Sequence, residues 1–76
     1  MEEQNKLLER IEMNPGKLGG KPVIKGSRIA VEFLLKALSQ KMSIPDICSA
    51  YGIIEEDVLA AIVYAEKIVE QEYVLL

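Results

Sequence analysis

A single glycine, Gly52, stands between two segments of helical apolar period, and this arrangement limits the fold more than any other feature of the chain. Upstream, Ile44, Ile47, Cys48 and Tyr51 fall at i, i+3, i+4 and i+7, so they share one face of a short helix. Ser43 is the expected N-cap, because its hydroxyl can accept a free backbone N–H of the first turn. Pro45 needs no donor there, and Asp46 meets the positive helix end. Gly52 ends the helix as a residue free to take positive φ. Beyond Ile53, the acids Glu55, Glu56 and Asp57 open a second helix whose predicted inward stripe is Val58, Ala61, Ile62, Ala65 and Val69. With the small Cys48 four residues before the glycine, the spacing predicts two helices crossing through a tight turn, a helix-turn-helix unit.

The chain around this unit is short. Its 76 residues form one predicted domain, and a chain of this size buries only about 60% of the surface it exposes when unfolded. Half of its residues are apolar, and with one Phe, three Tyr and no Trp they are mostly aliphatic. Such a composition supplies a small helical core and an apolar face left over for a partner, so self-association is expected. Residues 1–12 read either as one or two helical turns or as a strand ending near Glu12. Met13-Asn14-Pro15-Gly16 is a turn, and Val23–Lys25 and Arg28–Ala30 read as short extended segments, a small hairpin or an edge that pairs with another copy. Residues 31–40 are the first helix of a three-helix core, with Val31, Leu34, Leu35 and Leu38 on one side. The third helix is predicted to end near Glu70 or Gln71, and the apolar tail Tyr73-Val74-Leu75-Leu76 to dock on this domain, a second copy or a partner.

Charge is unevenly placed. Residues 1–16 carry four acids and two bases, residues 17–28 carry four bases and no acid, and residues 29–76 carry eight acids and three bases, for a net charge of −3. The basic, glycine-rich segment with Lys17, Lys21, Lys25 and Arg28 could lay cations and backbone N–H groups along phosphates, or it could be a solvated loop whose lysines offset nearby acids. The third helix is no ordinary DNA reader. Its predicted outward residues, Glu56, Leu59, Ala60, Val63 and Tyr64, offer no bidentate base contact, and its first-turn acids repel phosphate. The same apolar positions suit a protein interface.

Reactive chemistry is sparse. There is no His, the one Cys has no base partner and falls on the packed face, and the acids form no pair that spacing alone places in a cleft. The Gly20-Lys21 pair does not make a phosphate loop, since Pro15 occupies the position of the first glycine and Pro22 that of the metal-binding hydroxyl. Neither a metal nor a cofactor is expected, and the chain reads as no enzyme. One cysteine excludes an intrachain disulfide, no run has the ~18 apolar residues of a membrane span, and the acidic start is unlike a signal peptide, so a reducing cytoplasm is expected.

Met13-Asn14-Pro15, the run Gly20-Lys21-Pro22-Val23-Ile24-Lys25-Gly26-Ser27-Arg28-Ile29, Met42-Ser43, Tyr51-Gly52-Ile53 and Ala60-Ala61-Ile62-Val63-Tyr64-Ala65 together resemble a family of small prokaryotic proteins, the domain of unknown function four-three-three, which includes VapB-like antitoxins. The likeness covers roughly residues 11–66. It implies a homeodomain-like helix-turn-helix fold, often dimeric, and some relatives that pair with a PIN-like ribonuclease toxin. The chain departs from the family pattern at Lys41, where Gly usually precedes Met42, and at Ala30, where Pro usually follows Ile29. Lys41 argues against a positive-φ helix end, and Ala30 loosens the approach to the first helix. Arg28 either pairs with an acid on the helices or faces a phosphate.

The resulting expectation is a mainly α, three-helix helix-turn-helix bundle: residues 1–30 an arm with turns and short strands, 31–72 the helical core, and 73–76 an apolar tail. It would act as a non-enzymatic, dimeric, antitoxin-like regulator. Leu59, Val63, Tyr64, Tyr73, Val74 and Leu75 form the partner or dimer interface, and Lys17, Lys21, Lys25 and Arg28 the contact with operator DNA. The alternatives are a stand-alone DNA-binding repressor and a homo-oligomeric interaction module.

Overall fold

The computed structural model describes residues 2–75, and of these the side chains of residues 3–71. In chain order it contains helix α1 (Glu2–Leu8), strand β1 (Ile11–Met13), a single 3-10 turn (Leu18–Gly20), strand β2 (Pro22–Ile24), and helices α2 (Val31–Ser39), α3 (Ile44–Tyr51) and α4 (Glu55–Leu75). The molecule is mainly helical, as the periodicity predicts, but residues 1–12 supply both of the alternatives open to them: a helix first, then a strand. The described residues therefore hold four α-helices rather than three.

The helix-turn-helix signals act as their chemistry requires. The Ser43 hydroxyl oxygen accepts the Asp46 N–H at 3.2 Å, and Gly52 takes φ +67° while its N–H and that of Ile53 both close on the Cys48 carbonyl. Ile54, at the start of α4, has no side-chain acceptor, so Asp57 reaches back instead. Its Oδ2 accepts the Ile54 N–H and its Oδ1 accepts Arg10 Nη1, each at 3.2 Å. One mostly buried carboxylate thus caps α4 and ties the end of the N-terminal arm to it.

The β1–β2 pair is antiparallel, with Ile11 opposite Ile24, Glu12 opposite Val23 and Met13 opposite Pro22. Pro22 sits at the strand's first residue, where its missing N–H costs least. Of the two readings open to Val23–Lys25 and Arg28–Ala30, a small hairpin would pair β2 with the Arg28–Ala30 segment. That segment touches it only through the single bridge Val23–Ala30 and the Ile24 N–H to Ile29 carbonyl bond, and the strand pairing goes to β1.

The core is Ile24, Val31, Leu34, Ala37, Ile47, Val58 and Ala61, contributed by β2 and by α2, α3 and α4, with Ile11, Leu35, Leu38, Ile44, Cys48 and Tyr64 packed half-buried around it. α4 also packs on α1 and β1. This second cover shifts the phase of α4 from the expected one. Ala60, predicted to face outward, is fully buried, whereas Ile62 and Val69, predicted to face inward, are exposed. The helix runs to Leu75, past the predicted end, because no Gly or Pro interrupts it. Tyr73, Val74 and Leu75 are therefore its last turn rather than a separate tail, and their side chains, with Leu76, lie outside the described residues.

Lys41 corrects a second expectation. It adopts φ +71°, its N–H bonds the Leu38 carbonyl, and the Met42 N–H bonds the Ala37 carbonyl, which is the Schellman closure of α2. A lysine at this position keeps the left-handed helix end at a steric cost that glycine would not carry. Lys41→Gly is therefore expected to raise unfolding free energy by about 0.5–1 kcal/mol, the relief of strain exceeding the added flexibility of the unfolded chain; a urea midpoint at or below that of the wild type would contradict this. Asp57→Ala should cost about 1–2 kcal/mol through the lost cap, and Arg10→Ala less than about 1 kcal/mol because its partially exposed ion pair is screened. The same denaturation series checks that order.

Candidate interaction surfaces

The basic segment does not present four free cations. Lys17 Nζ donates to Glu12 Oε1 at 3.0 Å and Lys21 Nζ to Glu32 Oε1 at 2.7 Å. Lys25 and Arg28 are exposed and enter no ion pair among the described residues, so of the two readings open to Arg28, pairing with a helix acid is not the one adopted. Most of the segment's backbone amides are also already taken. Lys17, Gly20 and Lys21 donate to the Asn14, Lys17 and Leu18 carbonyls, Ile24 and Lys25 to the Ile29 and Arg10 carbonyls, and Ser27 to the Ile24 carbonyl. Gly26 N–H goes to the Glu12 carboxylate and Ile29 N–H to Ser27 Oγ. These bonds build the turn instead of an anion cradle.

Glu12 is the polar centre of this arm. Its Oε1 accepts both Lys17 Nζ and the Gly26 N–H, joining β1 to the loops before and after β2. The Lys17 hydrogen bond above all, then the Gly26 amide, hold its carboxyl below the ordinary glutamate value of 4.5.

Of the six expected interface residues, Leu59 and Tyr64 fall on different sides of the molecule. Leu59 and Tyr64 are five positions apart, about 140° around a helix, and they line different depressions. Leu59, with Leu7, Arg10, Lys25 and Asp57, lines an open cleft between α1 and the start of α4, of about 870 Å³. Its walls mix both signs of charge, and the Arg10–Asp57 pair stands in it. Tyr64 belongs to an open groove of about 380 Å³ between α2 and the second half of α4, lined by Pro22, Val31, Leu35, Tyr64, Ala65, Ile68 and Val69, with Lys21 and Glu32 among its lining residues. Val63 is half-buried, and Tyr73, Val74 and Leu75 lie outside the described side chains.

Sequence reasoning missed Ile68 and Val69 as surface. Val69 belongs to the predicted inward stripe and Ile68 falls one residue short of it, while Leu35, on the predicted inward side of α2, packs half-buried against the core and also lines the groove. Ile68 and Val69 are 39% and 46% exposed and adjoin the other apolar lining of the groove, while the Tyr64 hydroxyl reaches Met13 Sδ at 3.8 Å over the edge of the sheet. A further exposed pair, Phe33 and Tyr51, meets edge to face with ring centroids 5.0 Å apart and links α2 to the end of α3. Among the described residues no three His, Cys, Asp or Glu side chains converge as a metal-ligand set, and no helix is long and apolar enough to cross a membrane.

A helix-turn-helix whose arm carries the Gly-Lys-Pro-Val-Ile-Lys-Gly-Ser-Arg-Ile run defines a small helical class, and the comparison with known families names it. The model described as "Protein of unknown function (DUF433)" matches residues 11–65, more than half of the chain, and the chain belongs to that family. The matched stretch starts at β1 and stops within α4, so α1 and the Ile68–Val69 side of the groove lie outside it. The crystal structure of a DUF433 member protein from Anabaena variabilis ATCC 29413, at 2.00 Å resolution, is similar with a TM-score of 0.76 and 32% sequence identity, over 88% of this chain and 67% of that one. No curated protein matches.

Because the folded carboxyl of Glu12 titrates below its unfolded value, its stabilisation is fully present above pH 4.5 and is lost as pH falls through the folded value. Glu12→Gln keeps an acceptor for Gly26 but not the charge. It should be less stable than wild type above pH 4.5, with the difference shrinking as pH falls below that value, as urea midpoints taken along a pH series would register; parallel curves would contradict the assignment.

Proposed function

We propose that this chain is a non-enzymatic, antitoxin-like regulator that works as a homodimer and grips a PIN-like ribonuclease toxin in the groove between α2 and the second half of α4. The observation that carries the reading is the groove itself: an apolar strip with Ile68 and Val69 standing exposed on a chain too small to hide them. Interfaces draw their energy from such fully desolvated apolar centres, with charges kept to the rim, and here the lining charges Lys21 and Glu32 already neutralise each other. The resemblance to VapB-like antitoxins supplies the class of partner. The last turn of α4, with Tyr73, Val74 and Leu75, continues the same helix and extends the contact surface of the dimer or complex.

Operator DNA is the second proposed contact, and it falls to Lys25 and Arg28, the members of the basic segment that make no ion pair among the described residues. Two phosphate contacts give weak, salt-sensitive binding, so DNA affinity would come from assembly of several chains. The start of α4, with Glu55, Glu56 and Asp57, opposes phosphate and disfavours the stand-alone repressor.

The test is a search of the neighbouring genes for a PIN-like protein and a titration of the full chain against it. Ile68→Asp/Val69→Asp, two exposed positions whose change leaves the core intact, should weaken binding at least about 30-fold, the equivalent of losing about 2 kcal/mol at an interface centre. Wild-type affinity in that variant, or no binding by the wild type, would overturn the proposal.

A further inference from the structure

The ion pairs of the basic segment have a direction. Both acids lie outside the segment, Glu12 in β1 and Glu32 in the first turn of α2, and each reaches the segment's lysine through one carboxylate oxygen. Residues 17–28 themselves contain no acid. The Lys21–Glu32 pair is not needed to bury a charge, whereas Lys17 and Glu12 are largely covered. The Lys21 and Glu32 side chains are 60% and 66% exposed, and an ion pair that exposed contributes at most about 1 kcal/mol to folding. Its consequence is local: whatever phosphate approaches Lys21 approaches a carboxylate as well, and the same holds for Lys17 and Glu12.

We propose that Glu12 and Glu32 act as internal phosphate mimics that withhold Lys17 and Lys21 from duplex DNA, so that the resting chain offers two effective cations and the segment binds with four only when these carboxylates are neutralised. The inference rests on the DNA contact proposed above and adds its regulation. A lysine moving from solvent to a phosphate releases a condensed counterion from the DNA. A lysine arriving with its carboxylate partner releases one and draws another cation in beside the displaced acid, so the pair contributes little net release. The salt dependence therefore counts the unlatched cations.

Binding of the full chain to a short mixed-sequence duplex DNA, followed by fluorescence anisotropy across a salt series, tests this. Two free cations give a log–log slope of about −1.8, a loss of about 12-fold between 50 and 200 mM salt; four give about −3.6, a loss of about 150-fold. The wild type should show the first and Glu12→Gln/Glu32→Gln the second. Glu32→Gln alone, at an exposed site that leaves the fold intact, should fall between them. Asp46→Asn/Glu66→Gln, which makes the same change in net charge at acids outside any ion pair among the described residues, should keep the wild-type slope. A wild-type slope near −3.6, an unchanged slope in the latch variants, or an equal change in the control would overturn the latch while leaving the DNA contact standing. No binding by wild type or latch variant at the lowest salt would remove both.

Discussion

Everything in this molecule depends on the meeting of α2, α3 and α4 at Leu34, Ile47 and Val58, each without exposed surface, with Ala61 and Ala60 letting the backbones close. These side chains supply most of what so small a chain can bury, and removing one of the large ones costs about 2–5 kcal/mol where total stability is about 5–15 kcal/mol. The Gly52 turn and the Ser43 cap matter because they set the crossing of α3 and α4 that brings Ile47 onto Val58. The sheet is subordinate. Its two strands of three residues each could not stand alone and are held by Ile11 and Ile24 against the helices.

A core of this size cannot cover a helix of 21 residues. The first half of α4 packs on the core on one side and on α1 on another, leaving Ile62 exposed, and the second half runs out with Ile68 and Val69 exposed. The surplus apolar surface is thus a consequence of helix length against core size. Its position is fixed by the phase of the helix, which Ala60 and Ala61 set by demanding the closest packing.

Where signals were local, the fold was legible in the residues. Ser43, Pro45 and Gly52 carry the bounds of α3 in their own backbone chemistry, and Val31, Leu34 and Leu38 carry the period of α2. The failures have a common cause in tertiary contact. Residues 1–12 hold too few apolar positions to separate period 2 from period 3.6, and only α4 makes Leu7 and Leu8 into a helix face. Apolar residues surround α4 on every side, so its stripe could be drawn in more than one phase, and Ala60 and Ile62 were exchanged. Lys41 shows that the αL helix end is imposed by the chain's path into α3 and tolerates a residue that does not prefer it. The candidate site was half legible: the four cations are where the sequence puts them, but the acids that hold two of them come from 5 and 11 residues away.

Those acids also join the two candidate surfaces. Lys21 and Glu32 line the apolar groove and, at the same time, Lys21 is one of the segment's four cations. A group that engages Glu32 from within the groove therefore changes the charge beside Lys21 without any movement of the backbone, because the coupling runs through a single exposed ion pair. Glu12 has no such access: it does not line the groove, and it is tied to the Gly26 amide as well as to Lys17. Of the two pairs, the one that lines the groove is therefore the one that a molecule bound there would reach.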